Sequence, residues 1–171
     1  MNEAGIRVAL HITARTTFVF FVCAFTGNAL RDLWPGRFSF WLAMKRDWFL
    51  LATAASHTLH LVAIIAFFQV ASWSKLQLVT LLGGGFVYLL IYALAVATIL
   101  RIRNCEQGLL GSPRFQAFAL YLVWLIFALA FVPRIISGWP TYSLLGTAAL
   151  AALVIRIGCL VRHHRAKAAA A

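Results

Sequence analysis

Five uninterrupted apolar runs, each about as long as a bilayer is thick, restrict this chain to a narrow set of folds. They are roughly Leu10–Leu30, Phe49–Ser72, Leu78–Leu100, Phe115–Ile136 and Tyr142–Val161. A helical span needs ~20 apolar residues. Inside lipid the backbone has no solvent to bond, so a crossing segment must satisfy its own N–H and C=O groups. The runs are continuous and do not alternate in short segments, which excludes a membrane β-barrel. Composition agrees: 63% of residues are hydrophobic, 11% are charged and the mean hydropathy is +0.90, against about 25% charged in a soluble domain. The expectation is an all-α polytopic helical bundle of about five transmembrane helices. It forms one membrane domain over residues 1–162, followed by a disordered cytoplasmic tail, 163–171, of low complexity.

The net charge of +11 invites a nucleic-acid reading, and its distribution argues against one. Arg31, Arg37, Lys45 and Arg46 lie between spans one and two, and Arg101, Arg103 and Arg114 between spans three and four. Arg162, Arg165 and Lys167 follow span five. The other side carries only Arg7, Lys75 and Arg134. The positive-inside rule then puts the N-terminus outside and the C-terminus in the cytoplasm, as an odd number of spans requires. The basic residues are topology signals with some attraction to anionic lipid, and no nucleic-acid partner is expected. Glu3 beside Arg7, and an apolar stretch longer than a usual signal core, predict that span one is a retained anchor. Cys23 and Cys159 fall in spans and Cys105 in a cytoplasmic loop, so no disulfide framework is implied.

The loop Arg31–Trp48 holds a Pro35-Gly36 turn and then Phe38, Phe40, Trp41, Leu42 and Met44 between basic residues. That pattern predicts a segment lying in the membrane interface. Trp73 and Trp139 sit where an aromatic belt is expected. Gly83-Gly84-Gly85 permits close backbone approach to a neighbouring helix, or room for a flat cofactor.

Chemistry is scarce in the spans. The acids Glu3, Asp32, Asp47 and Glu106 lie in loops or at span ends, which excludes a membrane-buried di-acid protease. Arg15 and Arg156 can snorkel to the bilayer surface. His57 and His60 stand three residues apart in an otherwise uncharged run, on one helix face. An ionisable side chain at membrane depth is costly and is a functional-site hypothesis by default. The pair allows ligation of heme iron or another metal, polar joining of helices, or a proton relay. His11 lies one turn from Arg15. With span one starting near Leu10, His11 stands ~13 Å along the membrane normal from His60 at ~1.5 Å per residue. Pairing the two therefore requires span one to shift by two turns. His163 and His164 are read as solvated tail residues.

The second span carries a resemblance. Arg46, followed at fourteen residues by His60 within RDWFLLATAASHTLHL, is similar to the ferric reductase-like transmembrane family. That family takes in ferric reductases, the membrane parts of NADPH oxidases and the heme subunit of the bacterial methionine sulfoxide reductase system. Thr58-Leu59-His60 matches its Leu-His ending and Arg46 its basic position at the cytoplasmic edge. The resemblance implies heme b on His60, with His57 as neighbouring or alternative ligand, and with Arg15 and Arg134 pairing to propionates. It also implies a membrane electron-transfer component of an oxidoreductase in the bacterial inner membrane, supplied by a separate redox partner protein. Family members carry two partner histidines on a later helix. Span four here has none, and Tyr121 and Arg134 stand at that spacing. The residues leave open an unusual second ligand, a heme shared across a homo-oligomer, or a scaffold without heme in which the histidines only join helices.

Reporter fusions at each loop test the topology: cytoplasmic reporters should be active after residue 35, after residue 104 and at the C-terminus. An outward-facing C-terminus overturns the arrangement.

Overall fold

The computed structural model describes residues 3–70, 78–105 (side chains of α4 from 84 on), 108–136 and 140–169. They form α1 (Glu3–Leu33), α2 (Arg37–Met44), α3 (Arg46–Val70), α4 (Leu78–Ile102), α5 (Pro113–Phe131) and α6 (Thr141–Ala169), with short 3-10 turns at Gly108–Gly111 and Val132–Arg134. Five of these helices are long and apolar enough to cross a membrane, and no strand occurs among the described residues. Their surface carries the same message. Val62 and Ile65 on α3, Leu89 on α4, Leu129 on α5, and Leu144 and Val154 on α6 are all exposed. A water-soluble domain rarely displays so much contiguous apolar surface; lipid is the solvent in which it carries no cost. The fold class is therefore the expected one, a helical integral membrane protein.

Helix limits differ from the apolar runs because helices continue past the hydrocarbon. α1 begins at Glu3, about two turns before Leu10. Its first turn carries the Arg7–Glu3 ion pair at 2.6 Å. α6 continues to Ala169, so 163–169, read from sequence as a tail without structure, is helical. Trp73, Lys75, Glu106 and Trp139 lie outside the described residues.

The chain divides into two compact units, Met1–Phe20 with Leu50–Val123, and Phe21–Phe49 with Trp124–Ala171. In the first unit, α1, α3 and α4 meet through buried Thr17, Phe18, Thr53, Ser56, Leu90 and Leu94. Hydroxyls tie the helices: Thr17 and Ser56 pair at 2.9 Å. Ser and Thr suit this work because they bond across helices while staying small enough for close approach.

The second unit packs on aromatic rings and small residues. Phe21 lies 5.6 Å from Phe25 and 5.4 Å from Phe127, centroid to centroid. The Trp124 indole N–H donates to the Ala149 carbonyl at 2.9 Å. Ser143, Gly146, Ala149 and Ala152 form the buried seam of α6 at helical spacing. The Ser143 hydroxyl donates to the Ile135 carbonyl. Arg156, expected to snorkel, places its guanidinium 5.0 Å from the Phe25 ring centre, a cation–π contact that offsets part of its desolvation.

α2 also belongs to the second unit. The Gly36 N–H donates to the Ser39 hydroxyl at 2.9 Å, and that hydroxyl donates to the Trp34 carbonyl at 2.8 Å. This closes the chain into the start of the helix. Leu42 is 3% exposed, whereas Phe38, Trp41 and Met44 are 68%, 48% and 78% exposed. One face is seated and the other is apolar and open, flanked by Arg37 and Lys45. A short helix with one seated face and one open apolar face is the form that the expected interfacial segment requires.

Close backbone approach is permitted at Gly83-Gly84-Gly85. Among the described residues nothing stands within 4 Å of a Cβ at Gly84 or Gly85. The approach occurs instead at Gly27 and Gly146. A Cβ on Gly27 would lie 3.1 Å from the Leu42 carbonyl oxygen, and one on Gly146 would lie 3.2 Å from that of Phe131. Gly27→Val should therefore push α2 off α1 and cost about 1–3 kcal/mol. Unfolding of the purified protein in detergent reads this loss. Gly84→Val is the control and should be neutral; equal stability of the two variants contradicts the packing.

Candidate functional site

His57 and His60 occupy the middle of α3 and belong to the first unit. Their rings lie 5.7 Å apart and nearly parallel, at 19°, as a three-residue helical spacing requires. Around them stand Thr13 of α1 and Tyr88 and Tyr92 of α4, so three helices of the unit converge on the pair.

The proton on His60 follows from counting hydroxyl protons. Thr13 Oγ1 lies 2.8 Å from the Ala9 carbonyl, 3.2 Å from that of Leu10, and 2.9 Å from His60 Nδ1. A threonine hydroxyl has one proton and two lone pairs. The carbonyls accept that proton, as the i−4 carbonyls do for Thr26 and Thr98 at 2.8 Å. Thr13 then accepts from His60 Nδ1–H. The ring is thereby fixed as the Nδ1–H tautomer, with its lone pair on Nε2. Thr58 works in the same way. It donates to the Ala54 carbonyl at 2.9 Å and so accepts from the Tyr92 hydroxyl at 2.9 Å.

His57 is different. It is 7% exposed, and its ring stacks on Tyr88 at 3.9 Å between centroids, tilted 27°. Neither Nδ1 nor Nε2 has a hydrogen-bond partner among the described residues, and the Tyr88 hydroxyl is equally unpartnered. A buried polar group left unbonded costs about 1–3 kcal/mol. Groups of this kind in a native protein call for a physical explanation.

His11 lies close to the depth of His60, contrary to the ~13 Å offset expected from the apolar run. Because α1 starts at Glu3, Thr13 is already level with His60, and His11 is only two residues away. Direction, not depth, separates them. Two residues rotate a helix by about 200°, so His11 stands on the far side of α1 from the Thr13–His60 bond, and its side chain is exposed. Arg15 is likewise about 200° from Thr13, and it is half-buried. Arg134 belongs to the second unit, where its guanidinium donates to the Ala130 carbonyl and lies 5.8 Å from the Tyr142 ring centre. Tyr121, at the family's partner-histidine spacing, is half-buried in α5.

Sequence reasoning missed Thr13, Tyr88 and Tyr92. Thr13 shares a face with Thr17 at four residues, and Tyr88 with Tyr92, so a search for paired polar residues within spans would have found both. The fold and site define a helical integral membrane protein with a histidine–tyrosine cluster among its helices. Set against protein-family models, curated proteins and solved structures, the chain finds no match.

Thr13→Val removes the acceptor for His60 while keeping volume. It should lower stability by ~0.6–1.7 kcal/mol, the span measured for hydrogen bonds between membrane helices. Nitrogen NMR of labelled histidine should place the His60 proton on Nδ1; a proton on Nε2 contradicts the assignment.

Proposed function

We propose that this chain is an integral membrane heme-binding electron-transfer subunit, similar to ferric reductase-like proteins, with His60 as the ligand to iron. The observation that carries the reading is the 2.9 Å contact of Thr13 Oγ1 with His60 Nδ1, from which the tautomer is inferred. A ligating histidine almost always donates its second ring N–H to an oxygen, which sets ring orientation and raises ligand basicity. His60 has that arrangement, with Nδ1–H on Thr13 Oγ1 at 2.9 Å and Nε2 left as the donor atom. The unbonded nitrogens of His57 add support, since a polar group bound among these helices would offset their desolvation. Heme supplies one-electron chemistry, with a potential set by axial ligand, hydrogen bonding and burial. The chain's own part is to hold the imidazole, to exclude water with α1, α3 and α4, and to keep the Tyr88 ring against His57.

The second axial position is assigned to no residue of this chain. Span four lacks the family's histidines, and His57 shares a helix face with His60. A homo-oligomer or partner subunit is the source this reading requires, together with a separate electron donor. The basic-residue distribution supports an outer N-terminus; the reading adds a bacterial inner membrane and electrons passing outward.

One alternative has its own support. Thr13–His60, Thr17–Ser56 and Thr58–Tyr92 are three bonds between helices, as a scaffold or accessory subunit with helix-joining histidines would have. Absorption spectra separate the two. Protein purified from heme-replete cells should show a Soret band and a reduced-minus-oxidised difference spectrum, both lost in His60→Ala. A folded, colourless wild-type protein sinks the heme reading and leaves the scaffold.

A further inference from the structure

The end of α1 and the last turns of α6 bring together three side chains that the histidine cluster does not use. Asp32, Cys159 and His163 all belong to the second unit, and one potential ligand atom from each lies within 4.8 Å of the others. Asp32 Oδ2 is 3.9 Å from Cys159 Sγ and 3.8 Å from His163 Nε2. We propose that these residues form a zinc site, with Asp32 Oδ2, Cys159 Sγ and His163 Nε2 as ligands and a fourth position open to solvent.

The distances suit the metal. Zinc binds sulfur at ~2.3 Å and nitrogen or oxygen at ~2.0–2.2 Å, so a tetrahedron of such bonds has edges of roughly 3.3–3.7 Å. The two Asp32 separations need to close by only a few tenths of an ångström, and the Cys159–His163 separation, which lies within 4.8 Å, by at most about 1 Å. Cys159 and His163 are four residues apart on α6, hence on one face, and His163 is exposed enough to reorient.

Asp32 is already divided between two tasks. Its Oδ1 accepts from the Arg31 guanidinium at 3.1 Å, leaving Oδ2 turned toward the thiol and imidazole. Arg162 donates to the Asp32 and Leu33 carbonyls at 2.7 and 3.3 Å, which satisfies the end of α1 and fixes the carboxylate's backbone. Charge also balances: a carboxylate, a thiolate and a neutral imidazole together carry minus two. Binding releases the Cys159 proton to solvent, and zinc neutralises the set. A mixed sulfur, nitrogen and oxygen donor set favours zinc over magnesium or calcium. The metal would clamp α6 to the end of α1 within this unit.

Cobalt reads the site directly. The full-length protein in detergent, stripped with chelator and titrated with Co²⁺, should take up one equivalent. A near-ultraviolet thiolate-to-cobalt band should appear and be displaced by Zn²⁺. Cys159→Ser should abolish that band. Asp32→Asn and His163→Gln should each weaken binding by at least the ~10–100-fold that losing an outer partner costs. His164→Gln and Cys105→Ser should change nothing. A wild-type protein without the band, a band that survives Cys159→Ser, or equal sensitivity to His163→Gln and His164→Gln (adventitious tail binding) overturns the site. A measurement on unaltered protein covers variants that fail to fold. Zn²⁺ should slow alkylation of Cys159 at least tenfold by mass spectrometry, and an unprotected thiol refutes the proposal.

Discussion

Lipid accepts no hydrogen bonds, and most of what is seen in this protein follows from that. Every backbone polar group in a span must be satisfied within its own helix, which turns five apolar runs into five long helices. The few side-chain polar groups within those helices face the same restriction. Thr13, Thr17, Thr58 and Thr98 each bond the carbonyl four residues earlier, and Thr13 and Thr58 so become acceptors toward neighbouring helices. That is why Thr13 takes the proton of His60 and Thr58 takes that of Tyr92. A network usually described as glue between helices thereby also fixes the chemical form of a histidine.

His57 marks the limit of this economy. Thr and Ser satisfy themselves locally, whereas an imidazole has no backbone partner within reach on its own helix. His60 finds Thr13; His57 finds only the face of Tyr88. Stacking supplies packing but no hydrogen bond, so the pair is asymmetric in a way that two histidines at helical spacing do not suggest. The proposed heme reading rests on that asymmetry, with one imidazole held as ligands are held and its neighbour buried without a bond. The Asp32, Cys159 and His163 cluster follows a different logic. It sits where α1 ends, with Arg31 on its carboxylate and Arg162 on the last carbonyls of the helix.

The sequence made the class of fold legible because span length and apolar content are local properties. It made the apolar, basic-flanked character of the α2 segment legible for the same reason. It misjudged the depth of His11 because an apolar run marks the hydrocarbon and not the helix, and α1 extends two turns further to its Arg7–Glu3 pair. It left the glycines open because a small residue permits close approach without requiring it. Gly84 and Gly85 have no neighbour at that distance among the described residues, while Gly27, which no pattern singled out, receives the backbone of Leu42.

By itself the sequence determined that this is a helical membrane protein, where its spans lie and that His57 and His60 share a face. These depend on transfer of residues into lipid and on the 3.6-residue turn, both readable along one chain. Only the tertiary structure decided that Thr13 stands opposite His60, that Tyr88 covers His57 and that Asp32 meets Cys159 and His163. Those pairings depend on the axial offset and rotation of one helix against another, set by many small side chains packing at once.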